Sequence, residues 1–242
     1  MESLRGETPR AFNVPGVVVG LIAAMVAVHL FRLYGPISDD LIIYYFAFIP
    51  GRLNPEPAIN GDLLDRGARY WSLLTYAFIH ADWLHLAMNS FWMLAFGSLV
   101  ARRLSTTGFL LLSGGGAIAG ALAYYALHPG QSAVLVGASA AVSAQVAGAT
   151  RYMFAWPQRI GWPEPELMRT GRPLSLAQTF GNRRSLMFVL IWLGLNFAFG
   201  VTGFGTPEGD VLVAWEAHVG GFAAGLLSLG FLPKARLDSS VR

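Results

Sequence analysis

The sequence predicts an all-α fold, a polytopic membrane protein whose single bundle is built of six spanning helices. Three observations carry that reading. Only 13% of the 242 residues are charged and 54% are hydrophobic, with a mean hydropathy of +0.49, whereas a soluble domain carries roughly 25% charged residues. Apolar runs close to the roughly 20 residues needed to cross a bilayer recur near 13–33, 71–101, 108–128, 136–156, 185–204 and 211–232. Lys and Arg divide unequally between the loops that those runs define.

The elements follow in chain order. Residues 1–12 read as a short cytoplasmic tail, 13–232 as one helical domain and 233–242 as a second cytoplasmic tail. The first run is too long for a signal peptide and no cleavage site stands out after it, so it is expected to remain as a span. Residues 34–69 contain LIIYYFAFIP (41–50), apolar and aromatic but too short to cross, followed by Pro, Gly and charges. This stretch reads as a long loop that dips partly into the outer interface. The second run is long, and its first residues are expected at the interface. In the third, Gly114, Gly115, Gly116 and Gly120 read as close helix packing. The fourth is expected to begin near Ser139, after the loop with His128, Pro129 and Gly130. The segment 157–183, rich in Pro, Gly and Arg, reads as an extramembrane loop before the last two spans. Trp and Tyr near 70–71 and 124–125 suit interfacial anchoring, and His29 and His128 read as ordinary interfacial histidines.

Charge orients the bundle. With the N-terminus inside, thirteen Lys and Arg fall on the cytoplasmic side, among them Arg102, Arg103, Arg151, Arg183, Arg184 and Lys234, against Arg32, Arg52, Arg66 and Arg69 outside. Both termini are therefore expected in the cytoplasm, most simply of a bacterium, with an organelle membrane as the alternative. The net charge of +3 is explained by topology and calls for no nucleic-acid partner. The absence of cysteine removes disulfides, thiolate nucleophiles and zinc–sulfur sites. No metal and no cofactor is expected.

Three polar patterns interrupt the apolar runs: His85–Leu86–Ala87–Met88–Asn89, Gly137–Ala138–Ser139–Ala140 and Ala217–His218–Val219–Gly220–Gly221. A polar side chain inside a bilayer marks a functional site by default. Together these supply a hydroxyl, an imidazole and a carboxamide, the groups of a serine hydrolase. The helix rise of about 1.5 Å per residue puts Asn89 about 20 Å and His85 about 25 Å from Arg102, Ser139 about 18 Å from Arg151, and His218 about 24 Å from Lys234. In a core of about 30 Å all four fall in one slab of the outer half. His85 and Asn89 share a face at i and i+4, as do His218, Gly221 and Gly225 at i, i+3 and i+7. Gly221 and Gly225 form a GxxxG, and Ala140, Ala144 and Gly148 offer a matching stripe of small residues. Packing those stripes together would bring His218 near Ser139. A helix beginning at Ser139 would also offer unpaired N–H groups to a developing oxyanion.

Each group has a plainer reading. A lone membrane serine commonly bonds back to its own helix, a histidine on a small-residue face serves packing, and HxxxN can simply hold helices together. Ser143, one turn deeper than Ser139, is the competing nucleophile. Glu216 lies about 200° round the helix from His218 and is a poor third member of a triad.

In combination, His80–x4–His85–x3–Asn89, Gly137–x–Ser139 and Ala217–His218–x2–Gly221–x3–Gly225 resemble the rhomboid intramembrane serine proteases over residues 13–232. The resemblance implies a six-transmembrane-helix bundle of bacterial type with a half-immersed first loop over 34–69. It implies Ser139 as nucleophile and His218 as general base, a dyad without aspartate. His85, Asn89 and the Ser139 N–H would form the oxyanion hole. Gly137 would keep the approach to that hole open, and His80 would support the loop above the site. Span five and the loop after it would admit the substrate, a single-pass transmembrane protein cut within the lipid bilayer or near its outer boundary. Three positions depart from the common pattern: Ala140 where many members have Gly, Ser143 where many bacterial members have Tyr, and Trp71–Ser72 where Trp–Arg is common. A rhomboid-like protein that binds segments without cutting them is the alternative. A transporter finds less support, since the spans carry no deep acidic residue and no broken-helix pair.

Overall fold

The structure, a computed structural model, describes residues 14–53, 63–155, 171–202 and 214–235. The N-terminal tail, the loop at 205–210, most of the loop at 157–183 and most of the C-terminal tail lie outside the described residues. The described chain is helical, with only two isolated bridges, Phe48 with Leu135 and Leu104 with Lys234.

Each of the six apolar runs holds a helix. In chain order these are α1 (Gly16–Tyr34), α4 (Trp83–Ala101), α5 (Thr106–Leu127), α6 (Ser139–Met153), α8 (Arg183–Thr202) and α9 (Trp215–Ser228). Between them lie α2 (Asp39–Phe46), α3 (Leu63–Thr75) and α7 (Leu176–Gly181). Four of the six, α1, α4, α5 and α8, are long and apolar enough to cross a membrane. The other two, α6 and α9, have 15 and 14 residues, about 21–22 Å on the α-helical rise.

The second run is not one continuous helix. Its first part belongs to α3 and to a 3₁₀ turn, Tyr76–Phe78, and the long apolar helix begins only at Trp83. The reason is local. Tyr76 is buried with its hydroxyl donating to the Ala117 carbonyl at 2.8 Å, and its own carbonyl accepts from the Gly137 N–H at 3.0 Å. A carbonyl so engaged sits on a turn, not in a helical ladder. Asp82 then caps α4 by accepting from the His85 N–H at 2.7 Å.

The core is α6. Every residue from Ala140 to Tyr152 is buried. Small residues let its neighbours reach its backbone. On α9, a Cβ on Gly221 would run into the Ala140 carbonyl and one on Gly225 into the Ala144 carbonyl. On α5, a Cβ on Gly116 would meet the Ala144 methyl and one on Gly120 the Ala140 methyl. Of the four α5 glycines expected to mediate packing, these two do so. Nothing approaches Gly115 within 4 Å, and Gly114 makes only an ordinary contact with Leu74 at 3.6 Å.

Polar clamps fix the ends. Arg151, buried in the last turn of α6, donates to the Leu174 carbonyl at 2.8 Å and to the Leu226 carbonyl at 2.7 Å. At the other end, Arg32 of α1 grips both carboxylate oxygens of Asp39, at 2.6 and 3.0 Å, and donates to the His80 carbonyl at 2.5 Å. Such a bidentate pair is directional as well as attractive. His29 is 2% exposed and packs edge-on to Trp83 at 4.6 Å between ring centroids. Within the first loop, the Trp71 indole donates to the Tyr45 carbonyl at 2.7 Å and the Thr75 hydroxyl to that of Phe46 at 2.7 Å.

Candidate active site

The site grows from one residue with an unusual backbone. Gly137 has φ +110°, and among the described residues only Gly130 shares a positive φ. Side chains are disfavoured there on backbone grounds. Space forbids one as well, since a Cβ would lie 2.6 Å from both Cε1 and Nε2 of His85. The same point is 3.7 Å from Nδ2 of Asn89. The turn before α6 is therefore pressed directly onto the His85–Asn89 face of α4.

Ser139 is the first residue of α6, and no side chain caps this end. The first N–H groups of a helix have no intrahelical acceptor, so an uncapped start at the centre of a bundle leaves donors for something else. Facing them, Nδ1 of His85 accepts from the Ala81 N–H at 3.4 Å. Its proton is thereby assigned to Nε2, the atom against Gly137. Asn89, 5% exposed, gives one amide hydrogen to the His85 carbonyl at 3.0 Å and keeps the other. His80 is fully buried and accepts from the Ala138 N–H through Nε2 at 3.5 Å. It lies on the turn ahead of α4, not on the spanning helix where the sequence reading put it.

Gly120 of α5 joins the two remaining groups. A Cβ there would meet the Ala140 methyl on one side and the Ala217 carbonyl at 2.8 Å on the other. Those are the residues directly after Ser139 and directly before His218, so the two outer helix starts converge on one glycine. Gly221, one turn inward from His218, rests on the Ala140 carbonyl. Ala140, larger than the common Gly, is accommodated because Gly120 has no side chain. Ser139 and His218 are both half-buried, whereas Ser143 is 1% exposed and closed off. No hydrogen bond joins Ser139 to His218 among the described residues.

Two partners escaped the sequence reading. Nδ1 of His218 is 2.5 Å from Oδ1 of Asn196 on α8. The signal was available, for Asn196 is the one carboxamide within the apolar run of α8. Glu216 turns away from His218, as its helical angle implied, and pairs with His128 at 3.0 Å.

A family model described as the rhomboid domain matches residues 67–234, more than half of the chain. The chain belongs to the rhomboid family. No curated protein matches the chain beyond that. Rhomboid proteins are in general intramembrane serine proteases, with inactive variants among them. The rhomboid domain and the four long apolar helices make this an integral membrane protein.

Proposed function

We propose that this rhomboid protein is an intramembrane serine endopeptidase that hydrolyses peptide bonds in or near the transmembrane segments of single-pass proteins. The observation that carries the reading is the uncapped start of α6 at Ser139, wedged between the His85–Asn89 face and the helix of His218.

In this reading His218 takes the proton from Oγ of Ser139 as it attacks the carbonyl carbon. The oxyanion is met by the Ser139 N–H, the Nε2–H of His85 and the second amide hydrogen of Asn89, all in place before charge develops. His218 then protonates the leaving amine, and water, deprotonated by the same imidazole, hydrolyses the acyl-enzyme. Gly137 keeps a side chain out of the oxyanion position, and His80 steadies the turn that carries it. Neither metal nor cofactor is called for. Six spans, a first loop lying half in the outer interface, both termini in the cytoplasm and a bacterial cytoplasmic membrane complete the proposal, supported by the charge asymmetry.

The test is fluorophosphonate labelling of the purified protein with mass-spectrometric mapping, beside cleavage of a membrane-anchored reporter in liposomes. Ser139 should carry the adduct, and Ser139→Ala should abolish both labelling and cleavage. Cleavage undiminished in Ser139→Ala would refute the mechanism. Segment binding without any hydrolysis would instead support the non-cutting reading, which the missing Ser139–His218 hydrogen bond favours.

A further inference from the structure

We propose that Asn196 is a positioning residue for the reaction: it holds His218 in the one tautomer that can act as base, so that the dyad works as a triad whose third member is carried by α8. The inference rests on the protease reading and extends it to a residue that the reading does not require.

The argument begins with the carboxamide. The Nδ2 of Asn196 donates to the Trp192 carbonyl one turn back, at 2.7 Å. Turning the amide over would set two oxygens against each other, so this bond decides which atom faces His218. That atom is Oδ1, which can only accept. At 2.5 Å from it, Nδ1 of His218 must carry the proton. Nε2 is then bare and free to receive the hydroxyl proton of Ser139. Without Asn196, neither tautomer is selected, the ring rotates about χ2, and a large share of molecules present N–H toward the serine. As the imidazole becomes imidazolium in the transition state, the Nδ1–H···O bond strengthens, so the contact counts for more there than in the resting protein. An orienting third group of this kind is the general logic of a base held for a nucleophile.

The plainer reading is that the pair merely fastens α8 to α9, as interhelical amide bonds do in membranes. Other contacts already fasten them. Gly200 lies against Trp215, whose indole a Cβ would approach to 2.5 Å, and Phe197 meets Trp215 edge-on with ring centroids 5.1 Å apart. Further along α8, Trp192 ties the helix to α4 instead, packing edge-on to Trp92 with centroids 5.4 Å apart. Asn196 sits between these two anchors with its amide aimed at the imidazole.

The experiment compares wild type, Asn196→Leu and Asn196→Asp by two readouts: the labelling rate constant with its end-point stoichiometry, and ¹⁵N NMR of ¹⁵N-histidine protein assigned with His218→Ala. Wild type should show His218 protonated at Nδ1. Asn196→Leu should lose that signature and label Ser139 roughly ten- to a thousandfold more slowly, less than the roughly 10⁴-fold cost of a tautomer fixed the wrong way in a triad, while reaching the same end point. Asn196→Asp, which still accepts from Nδ1, should recover most of the rate. A lowered end point with an unchanged rate constant would mean the bond only holds the helices, and would overturn the proposal. So would wild-type His218 protonated at Nε2, a result that needs no variant to fold. A wild type that labels at Ser139 while Asn196→Leu keeps its rate defeats this inference alone. A wild type that never labels or cleaves defeats the proposed function and this inference with it.

Discussion

At the scale of single residues, the site is a set of donors and acceptors whose roles are decided by what their other ends touch. His85 is made a donor at Nε2 by the N–H that occupies its Nδ1. Asn89 is steadied by its own helix and retains one hydrogen. Losing one oxyanion donor costs about 10²–10³ in kcat in a well-studied serine protease. Asn89→Ala should accordingly lower turnover by roughly ten- to a thousandfold with little change in labelling stoichiometry, and a near-normal rate would make it structural. Gly137→Ala should be worse than its size suggests, because the methyl meets both a left-handed backbone and the His85 ring. Inactive protein of near-native thermal midpoint is expected, and an active variant would show that the turn can relax. These residues were legible because polar groups in apolar runs are rare. Asn196 obeys the same rule, but it forms no spaced pattern with a neighbour, and only the fold reveals its partner.

At the scale of elements, the short helices α6 and α9 owe their place to glycines that admit backbone to backbone contact. The consequence is position-specific. Gly225→Leu should destabilise by more than the roughly 1–3 kcal/mol typical of overpacking, because the Ala144 carbonyl that it meets is backbone and cannot turn aside. Gly115→Ala has open space and a better helix former, so the thermal midpoint in detergent should hold or rise. Equal losses at both positions would contradict this account of the packing. The sequence showed the glycines but not which of them are pressed, since a run such as Gly114–Gly115–Gly116 points round the helix in three directions. It also hid the break between α3 and α4. Tyr76, Ala77 and Phe78 are as apolar as a span, and hydropathy does not register a turn closed by a carbonyl bond from another element.

At the scale of the whole molecule, the most apolar helices stand outside and the least apolar within. The outward faces of α1 and α8 carry exposed Leu, Phe, Ile and Val, as lipid contact requires, while α6 hides Ser143, Gln145 and Thr150 in full burial. Helix length and apolarity together therefore single out four candidate spans among the described residues, whereas apolar runs read along the sequence number six. Reporters fused at either end should both register the cytoplasm, and one inserted at 129–135 the opposite side. A terminus reporting outside would remove the six-span arrangement.

The division of the site between α6 and α9 also orders its manufacture. A 15-residue helix made largely of alanine and polar side chains gains too little from lipid to settle there alone. It has to be lodged against α5 and wait for α9, which leaves the ribosome later. Until then Ser139 lacks the imidazole of His218, the base of the proposed mechanism. On the protease reading, a nascent chain is thus harmless to the other unfinished membrane proteins around it until α9 is made.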